Sequence, residues 1–177
     1  MSVVPDSVTL KDALPLIGVV IGAVIGGLGS FFGSYCLENS KFKREKRNLA
    51  LAFAGEIAAV RRIVEVRHYV QRIEDALQYV RQTRQPFTYR APITREYFNV
   101  YEQNVSRIGI LDDPLPRRIA TFYTQANAIL EDFHGMTTGA FEDVDRLIAF
   151  YEQLLELFRD TFNIADEILE EVQRRHG

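Results

Sequence analysis

Cysteine and histidine are scarce in this chain, and their scarcity removes support for several kinds of chemistry. The 177 residues include one cysteine and three histidines. A single thiol cannot form an internal disulfide, and we interpret Cys36 as a small apolar filler in a reducing compartment rather than an acylation site. The histidines lie apart, at His68, His134 and His176, which gives no support to Ser/His/Asp or Cys/His catalysis.

Motifs for phosphate binding and for acyl transfer are also missing from the sequence. No glycine-rich loop follows a strand pattern, and no G-x-S-x-G occurs. We therefore predict that the chain is not an enzyme and that it requires no cofactor.

Charge is missing from Ala13 to Leu37, and a dense basic cluster follows at Lys41–Arg47. An α-helix needs roughly 20 apolar residues to cross about 30 Å of hydrocarbon, and the uncharged segment exceeds that length. We therefore predict three regions, a short extracytoplasmic tail at 1–12, a transmembrane helix at 13–37 and a cytoplasmic helical bundle domain at 38–177.

The charges that flank the uncharged segment predict its orientation. Only Lys11, Asp6 and Asp12 precede it, whereas five Lys or Arg residues follow closely behind it. The positive-inside rule then places the N-terminus outside and the C-terminal domain in the cytoplasm. A cleaved signal peptide is the main alternative, but its leader should be basic and its apolar run shorter. We expect an uncleaved, single-pass anchor.

Glycines recur at four-residue intervals within the predicted span. Small residues on one helix face let two backbones approach closely, which is a main source of helix association in lipid. The pattern predicts a homo-oligomer, or association with a partner membrane helix, through Gly18, Gly22, Gly26, Gly29 and Gly33. The segment gives little support to a pore, because only Ser30 and Ser34 offer polar side chains to line one.

Net charge changes sign between the two halves of the chain behind the span. Residues 38–107 hold fourteen Lys or Arg against eight Asp or Glu, a net charge of +6, and residues 108–177 hold six against fourteen, a net charge of −8. The acidic half is expected either to point away from the lipid or to fold back against the basic half. We expect contacts with anionic lipid headgroups from Lys41, Lys43, Arg44, Lys46 and Arg47. Because membrane topology explains these cations, we predict no nucleic-acid partner.

The sequence behind the span predicts helices throughout and no strand. Residues 40–83 contain no proline and a single glycine, which predicts one long helix. Two prolines mark a loop at 85–92, and shorter helices are predicted at 94–107 and from Asp112-Asp113-Pro114 to about His134. The predicted fold is all-α, an antiparallel bundle of two long helices with two shorter ones between them.

Apolar periodicity identifies the faces that we expect to be buried. On the long helix two stripes are separated by a shift in register, Phe53, Ile57, Val60 and Val64, then Val66, Val70, Ile73, Leu77 and Val80. On the last helix, steps of three and four predict a heptad seam of Phe141, Val144, Ile148, Tyr151, Leu155, Phe158, Phe162, Ala165, Leu169 and Val172. Leu147, Leu154 and Ile168 widen this seam, which favours contact with more than one neighbouring helix.

Two Glu-x-x-His pairs, Glu65 with His68 and Glu131 with His134, match the spacing used by di-metal bundle enzymes. Such sites need all ligands to project inward, together with two further glutamates. Glu65 and His68 fall off the apolar stripe, and His134 lies at a predicted helix end. We interpret both pairs as solvated charges and predict no metal site.

Two segments of the chain form a recognisable sequence pattern. Its residues run Tyr97-Phe98-Asn99-Val100-Tyr101-Glu102-Gln103-Asn104, followed by Tyr123-Thr124-Gln125-Ala126. This pattern resembles a family of uncharacterised single-pass inner-membrane proteins of proteobacteria that share a Y-F-x-V-Y-x-x-N core. The resemblance implies a bacterial inner-membrane setting and supplies no activity. From the residues themselves we expect an interaction or packing patch of Tyr97, Phe98, Tyr101, Asn104 and Tyr123, with Asn104 bonded to backbone.

These features lead to one leading hypothesis and two alternatives. The leading hypothesis is a membrane-anchored interaction or scaffold protein that self-associates through the glycine ladder and binds an unidentified cytosolic protein. The first alternative is a small membrane-active oligomer of the lysis or defence type, and the second is a di-metal bundle enzyme.

Overall fold

The computed structural model describes residues 10–89, 95–138 and 143–176, and the secondary structure of these residues is helical. The chain divides into two compact units, Met1–Glu45 and Lys46–Gly177. The predicted all-α class is thus confirmed for the described residues.

Five α-helices follow one another in the described part of the chain. They are α1 (Leu10–Val66), α2 (Tyr69–Thr83), α3 (Asn99–Asn104), α4 (Leu115–Thr138) and α5 (Val144–His176). Short 3₁₀ segments, Arg95–Phe98 and Val105–Ile110, flank α3, so the helix predicted at 94–107 is only partly α-helical. The helix predicted to start at Asp112-Asp113-Pro114 begins at Leu115 and continues past its predicted end near His134.

No helix is long and apolar enough to cross a membrane among the residues whose side chains are described. The predicted span falls within α1, but its side chains at 13–34 and at Cys36 lie outside the described residues. The glycine ladder lies there as well. The span and the ladder therefore stay predictions.

The long helix predicted at 40–83 is broken at His68, which separates α1 from α2. The His68 backbone is left-handed, with φ 55° and ψ 36°, and its N–H donates to the Glu65 carbonyl at 3.0 Å. A left-handed conformation is uncommon for a residue with a side chain, although histidine adopts it more often than most. The break lies where the register of the two apolar stripes shifts. In an unbroken helix the second stripe would face away from the core, so the break allows both stripes to face it. Val66, predicted in the second stripe, is exposed.

The helices of the second unit form an antiparallel bundle in which the acidic half folds back on the basic half. Along α5 toward its C-terminus, the partners of its acidic residues come from progressively earlier in α2 and α1: Arg84–Asp145, Arg81–Glu152 and Arg61–Asp166. This order shows that α1 and α2 run antiparallel to α5. Helix α4 also packs along α5. The acidic half thus folds back against the basic half, which is one of the two arrangements that the charge pattern left open.

Two clusters of buried side chains form the core. The first joins α1, Phe98, α4 and the C-terminal half of α5. The second joins α2, the end of α4 and the N-terminal half of α5. Phe53 and Ile57 of the first predicted stripe, and Ile73, Leu77 and Val80 of the second, are buried in them.

The buried face of α5 is a heptad seam, but its centre differs from the predicted one. The buried residues are Leu147, Tyr151, Leu154, Phe158, Thr161, Ala165, Ile168 and Val172. Ile148, Leu155, Phe162 and Leu169, predicted at the centre, are partly buried at its flank, and Phe141 lies outside the described residues. Tyr151, Phe158, Ala165 and Val172 are buried as predicted. The other half of the prediction was wrong because Thr161, a polar residue, belongs to the buried series. Its hydroxyl lies 2.7 Å from the Leu157 carbonyl oxygen, which allows its burial.

Candidate functional site

Glu56 connects three helices through its carboxylate. It is the only charged residue between Leu49 and Val60, and it projects from α1 toward the start of α3. The backbone N–H groups of Val100 and Tyr101 donate to its oxygens at 2.6 and 3.1 Å, and the Tyr123 hydroxyl of α4 donates at 2.5 Å. A carboxylate that accepts the free N–H groups of a helix start satisfies donors that the helix leaves unpaired. Glu56 thus holds α3 and α4 to α1.

Aromatic rings surround the carboxylate of Glu56. The Tyr101 and Tyr123 rings stack with centroids 4.0 Å apart and an interplanar angle of 17°, and Phe53 meets both rings edge-on. Phe98 packs against Tyr123 at 5.4 Å. Burial first, and then the hydrogen bond to Glu56, raises the pKa of the Tyr123 hydroxyl well above its ordinary value. Tyr123 therefore stays neutral and acts as a hydrogen-bond donor.

The structure brings together three members of the patch predicted from sequence, namely Phe98, Tyr101 and Tyr123. Asn104 lies one turn further along, where its side-chain amide donates to the Val100 carbonyl at 2.9 Å. Tyr97 is partly buried against the same core cluster and lines a neighbouring cavity. The patch as a whole is turned toward the bundle.

The cavity beside Tyr97 is small and apolar. Its volume is about 50 Å³, and its lining includes Val60, Tyr69, Phe122, Ile129 and Phe158. Arg61 also lines it; its guanidinium lies 5.7 Å from the Phe162 ring centroid and pairs with Asp166. A space of this size holds about one or two water molecules, too little for an organic ligand.

A groove of about 490 Å³ lies at the surface beside the break between α1 and α2. Its floor is apolar and its rim is polar, and its lining includes Val64, Glu65, His68, Glu74, Leu155 and Phe162. The predicted metal ligand Glu65 pairs there with Arg61 and Arg62. The groove is open to solvent and mixed in charge.

A second surface groove, of about 510 Å³, exposes two aromatic rings. Tyr79 and Phe87 are 44% and 45% exposed, and their rings meet edge-on with centroids 5.5 Å apart. The segment that carries Phe87 is held from below by the hydroxyl of buried Tyr151. This hydroxyl donates to the Phe87 carbonyl at 2.8 Å and accepts the Tyr89 N–H at 3.1 Å. The backbone that carries Phe87 is therefore tied to α5.

A network of charges joins the beginning of the second unit to its C-terminus. Lys46 pairs with Asp112, and Arg175 lies 3.4 Å from the same carboxylate while donating to the Asp113 carbonyl at 2.6 Å. Arg47 donates to the His176 carbonyl at 3.2 Å. The hydrogen bond from Lys46 is the main cause that lowers the pKa of Asp112. Two of the five cations predicted to contact headgroups are thus bound to protein groups.

Two other carboxyl groups have shifted pKa values. Burial, with a smaller contribution from neighbouring Glu131, raises the pKa of Asp132 on α4. The hydrogen bond from Arg174 is the main cause that lowers the pKa of Glu171, and Arg175 adds to it. The charged neighbours of both carboxyls lie on their own helices, and neither carboxyl lines the cavity or the two grooves.

The residues of the Glu-x-x-His pairs take part in other interactions. His68 lies at the helix break, and the Nδ1 atom of His134 is 2.7 Å from the Leu130 carbonyl oxygen. Within the described ranges, no group of three or more Cys, His, Asp or Glu side chains is placed to hold a metal ion.

Sequence reasoning assigned no role to Glu56 or to the Tyr151 hydroxyl. For Glu56 a signal exists, since a single charge in an apolar helical stretch needs a partner if it is buried. The partner itself could not be inferred, because Val100 and Tyr123 are far away in sequence. Tyr151 gave no signal beyond its place in the apolar pattern.

Comparison of the chain with protein-family models, curated proteins and solved structures found no match. The resemblance carried by residues 97–104 and 123–126 stays a prediction from the sequence.

Proposed function

We propose that this chain is a membrane-tethered helical interaction module. In this proposal residues 13–37 cross a bacterial inner membrane once with the N-terminus outside, and the second unit recruits or spaces a cytosolic protein. The observation that carries the proposal is the absence of charge from Ala13 to Leu37 directly before the basic cluster Lys41–Arg47.

The geometry of the second unit supports an interaction role. Both carboxylate oxygens of Glu56 accept hydrogen bonds from the protein itself, and Tyr123 is turned inward. The features that face solvent are the grooves and the exposed aromatic pair of Tyr79 and Phe87. Aromatic side chains held in a fixed position are common anchors in protein interfaces, because little entropy is lost when a partner covers them.

Fractionation of the native membrane tests the tether. The full chain is expected in the membrane after alkaline carbonate extraction, and a reporter fused behind Gly177 is expected to be active on the cytoplasmic side. A Val24→Arg/Ile25→Arg variant places two charges in the predicted span, each costing about 3 kcal/mol, and should release the protein. Leu51→Arg, at an exposed position of the second unit, is the control and should stay bound. A freely dissolved wild-type protein contradicts the tether.

Photocrosslinking tests the partner surface. A photoreactive residue at Phe87 is expected to capture a cytosolic protein, whereas the same residue at Glu170, exposed on α5, should not. Equal capture at both positions contradicts a role for the aromatic pair.

The glycine ladder leads to a separate measurement of self-association. Gly22→Leu is expected to reduce crosslinked oligomers, because a leucine on the close-packed face separates the helix backbones. If expression of the wild type is toxic and the substitution removes the toxicity, the membrane-active alternative is favoured over the interaction module.

A further inference from the structure

The basic cluster behind the predicted span contains two groups of cations with different surroundings. Lys46 and Arg47, at the start of the second unit, bind Asp112 and the His176 carbonyl. Lys41, Lys43 and Arg44, in the first unit, have exposed side chains. The same unit exposes Tyr35, Leu37 and Phe42, which are 62%, 58% and 48% accessible.

The three exposed cations lie close together on α1. Successive residues of an α-helix are rotated by about 100° and rise by about 1.5 Å, so Lys43 and Arg44 lie about 200° and 300° from Lys41, within about 5 Å of rise. The three cations therefore occupy one side of the helix, within an arc of about 160°. Their spread along the axis matches the depth of one headgroup layer, which is about 5–8 Å.

The exposed aromatic side chains lie beside these cations, Phe42 among them and Tyr35 on the side of the predicted span. Tyr35 and Phe42 are seven residues apart, so they share one face and are separated by about 10 Å along the axis. Aromatic rings concentrate at the boundary between hydrocarbon and headgroups, and long cationic side chains extend from there toward the lipid phosphates.

We propose that Lys41, Lys43 and Arg44, called the collar below, bind anionic phospholipid. Lys46 and Arg47 instead hold the start of the second unit to Asp112 and to the C-terminal end of α5. The proposal rests on the membrane tether proposed above and narrows the five predicted headgroup contacts to three. Glu38 and Glu45 lie in the same segment and oppose two of the three cations, which leaves a net charge of +1 for residues 38–45. One cation near an anionic surface corresponds to a preference of about fivefold for anionic over zwitterionic lipid.

The chain contains no tryptophan, so a single introduced one reports on its own surroundings. The experiment uses the full chain with Tyr35→Trp in vesicles of phosphatidylcholine and phosphatidylglycerol, with bromine on the acyl chains of one lipid at a time. The ratio of the two quenching efficiencies gives the lipid preference at the helix. We expect about a fivefold preference for phosphatidylglycerol.

Two matched double substitutions, each removing one Lys and one Arg, separate the two groups of cations. Lys41→Gln/Arg44→Gln should abolish the preference and leave the melting temperature unchanged. Lys46→Gln/Arg47→Gln should keep the preference and lower the melting temperature by about 2–4 °C. The proposal that the collar binds anionic lipid is contradicted if the first variant keeps the preference for phosphatidylglycerol or if the second variant loses it. If neither lipid quenches the tryptophan of the Tyr35→Trp chain, the tether itself is wrong, a result distinct from quenching without a lipid preference.

Discussion

The Tyr123 hydroxyl donates a hydrogen bond to the Glu56 carboxylate at 2.5 Å, which joins α4 to α1 inside the aromatic cluster. The same carboxylate accepts two backbone N–H groups of α3, so one side chain organises residues 99–104 and their contact with the bundle. Hydrogen bonds to an ionised acceptor are the stronger kind, and loss of an acceptor leaves its buried donors unpaired.

Glu56→Gln should destabilise the second unit by about 1–3 kcal/mol, because the amide group places an N–H where a backbone N–H or the Tyr123 hydroxyl now donates. Urea unfolding followed by circular dichroism measures the change. Glu74→Gln, at an exposed position of α2, is the matched control and should change stability by less than about 0.5 kcal/mol. Equal effects of the two substitutions would show that Glu56 does not connect the helices.

Neighbouring leucines of α5 should differ sharply in their contribution to stability. Leu154 is buried at the centre of the seam, whereas Leu155 is partly buried at its flank. Leu154→Ala should cost about 2–5 kcal/mol because it leaves a cavity, and Leu155→Ala less than half as much. Urea titration of both variants measures the difference. A larger cost at Leu155 would show that Leu155 lies at the centre of the seam, as the sequence predicted.

Alkaline pH should weaken the fold through its buried tyrosines. Burial is the main cause that raises the pKa values of both Tyr123 and Tyr151 above the ordinary value near 10. Their contribution to stability is full below that value, because both states are then protonated. It is lost as the pH rises further, because only the unfolded state releases the protons.

The urea midpoints of the wild type, Tyr123→Phe and Tyr151→Phe at pH 8 and pH 10.5 provide the measurement. Each variant is expected to be less stable at pH 8, since it loses the hydroxyl contacts, and to lose less stability than the wild type on going to pH 10.5. Identical pH dependence in all three proteins would show that neither hydroxyl causes the loss of stability at alkaline pH.

Acid should release the network at Asp112. Because the hydrogen bond from Lys46 lowers the pKa of Asp112, its stabilisation is present above the ordinary pKa near 4 and is lost as the pH falls below it. The Asp112 side chain is 58% exposed, so solvent weakens the interaction and the effect is small. The melting temperature of Asp112→Asn is expected about 2 °C below that of the wild type at pH 6, and the difference should shrink progressively as the pH falls below about 4. A constant difference across this range would point to a cause other than ionisation.

Local pattern was sufficient to predict much of the fold of the second unit. Steps of three and four among residues such as Phe53, Ile57 and Ile73 follow from the pitch of the helix, so the helices and most of their buried faces could be predicted. The break at His68 appeared in the sequence only as a shift in register. Its position could not be read, because nothing local requires a left-handed histidine there.

The sequence identified the aromatic residues of the candidate site, but it did not identify the Glu56 carboxylate that binds two of them. Phe98, Tyr101 and Tyr123 were recognisable by residue type within the segments 97–104 and 123–126. Glu56 was visible only as an isolated charge, and its partners depend on how residues 95–110 return across the bundle. The same reason applies to Lys46, whose partner Asp112 lies far along the chain.

By itself the sequence determined the helical class, the charge asymmetry of the two halves and the long uncharged segment, because each depends on residues that are neighbours along the chain. Only the tertiary structure decided that Glu56 binds α3, that Thr161 is buried in the seam, and that Lys46 and Arg47 bind protein groups. A polar side chain is buried where a partner satisfies its hydrogen-bonding groups, and long-range packing supplies that partner.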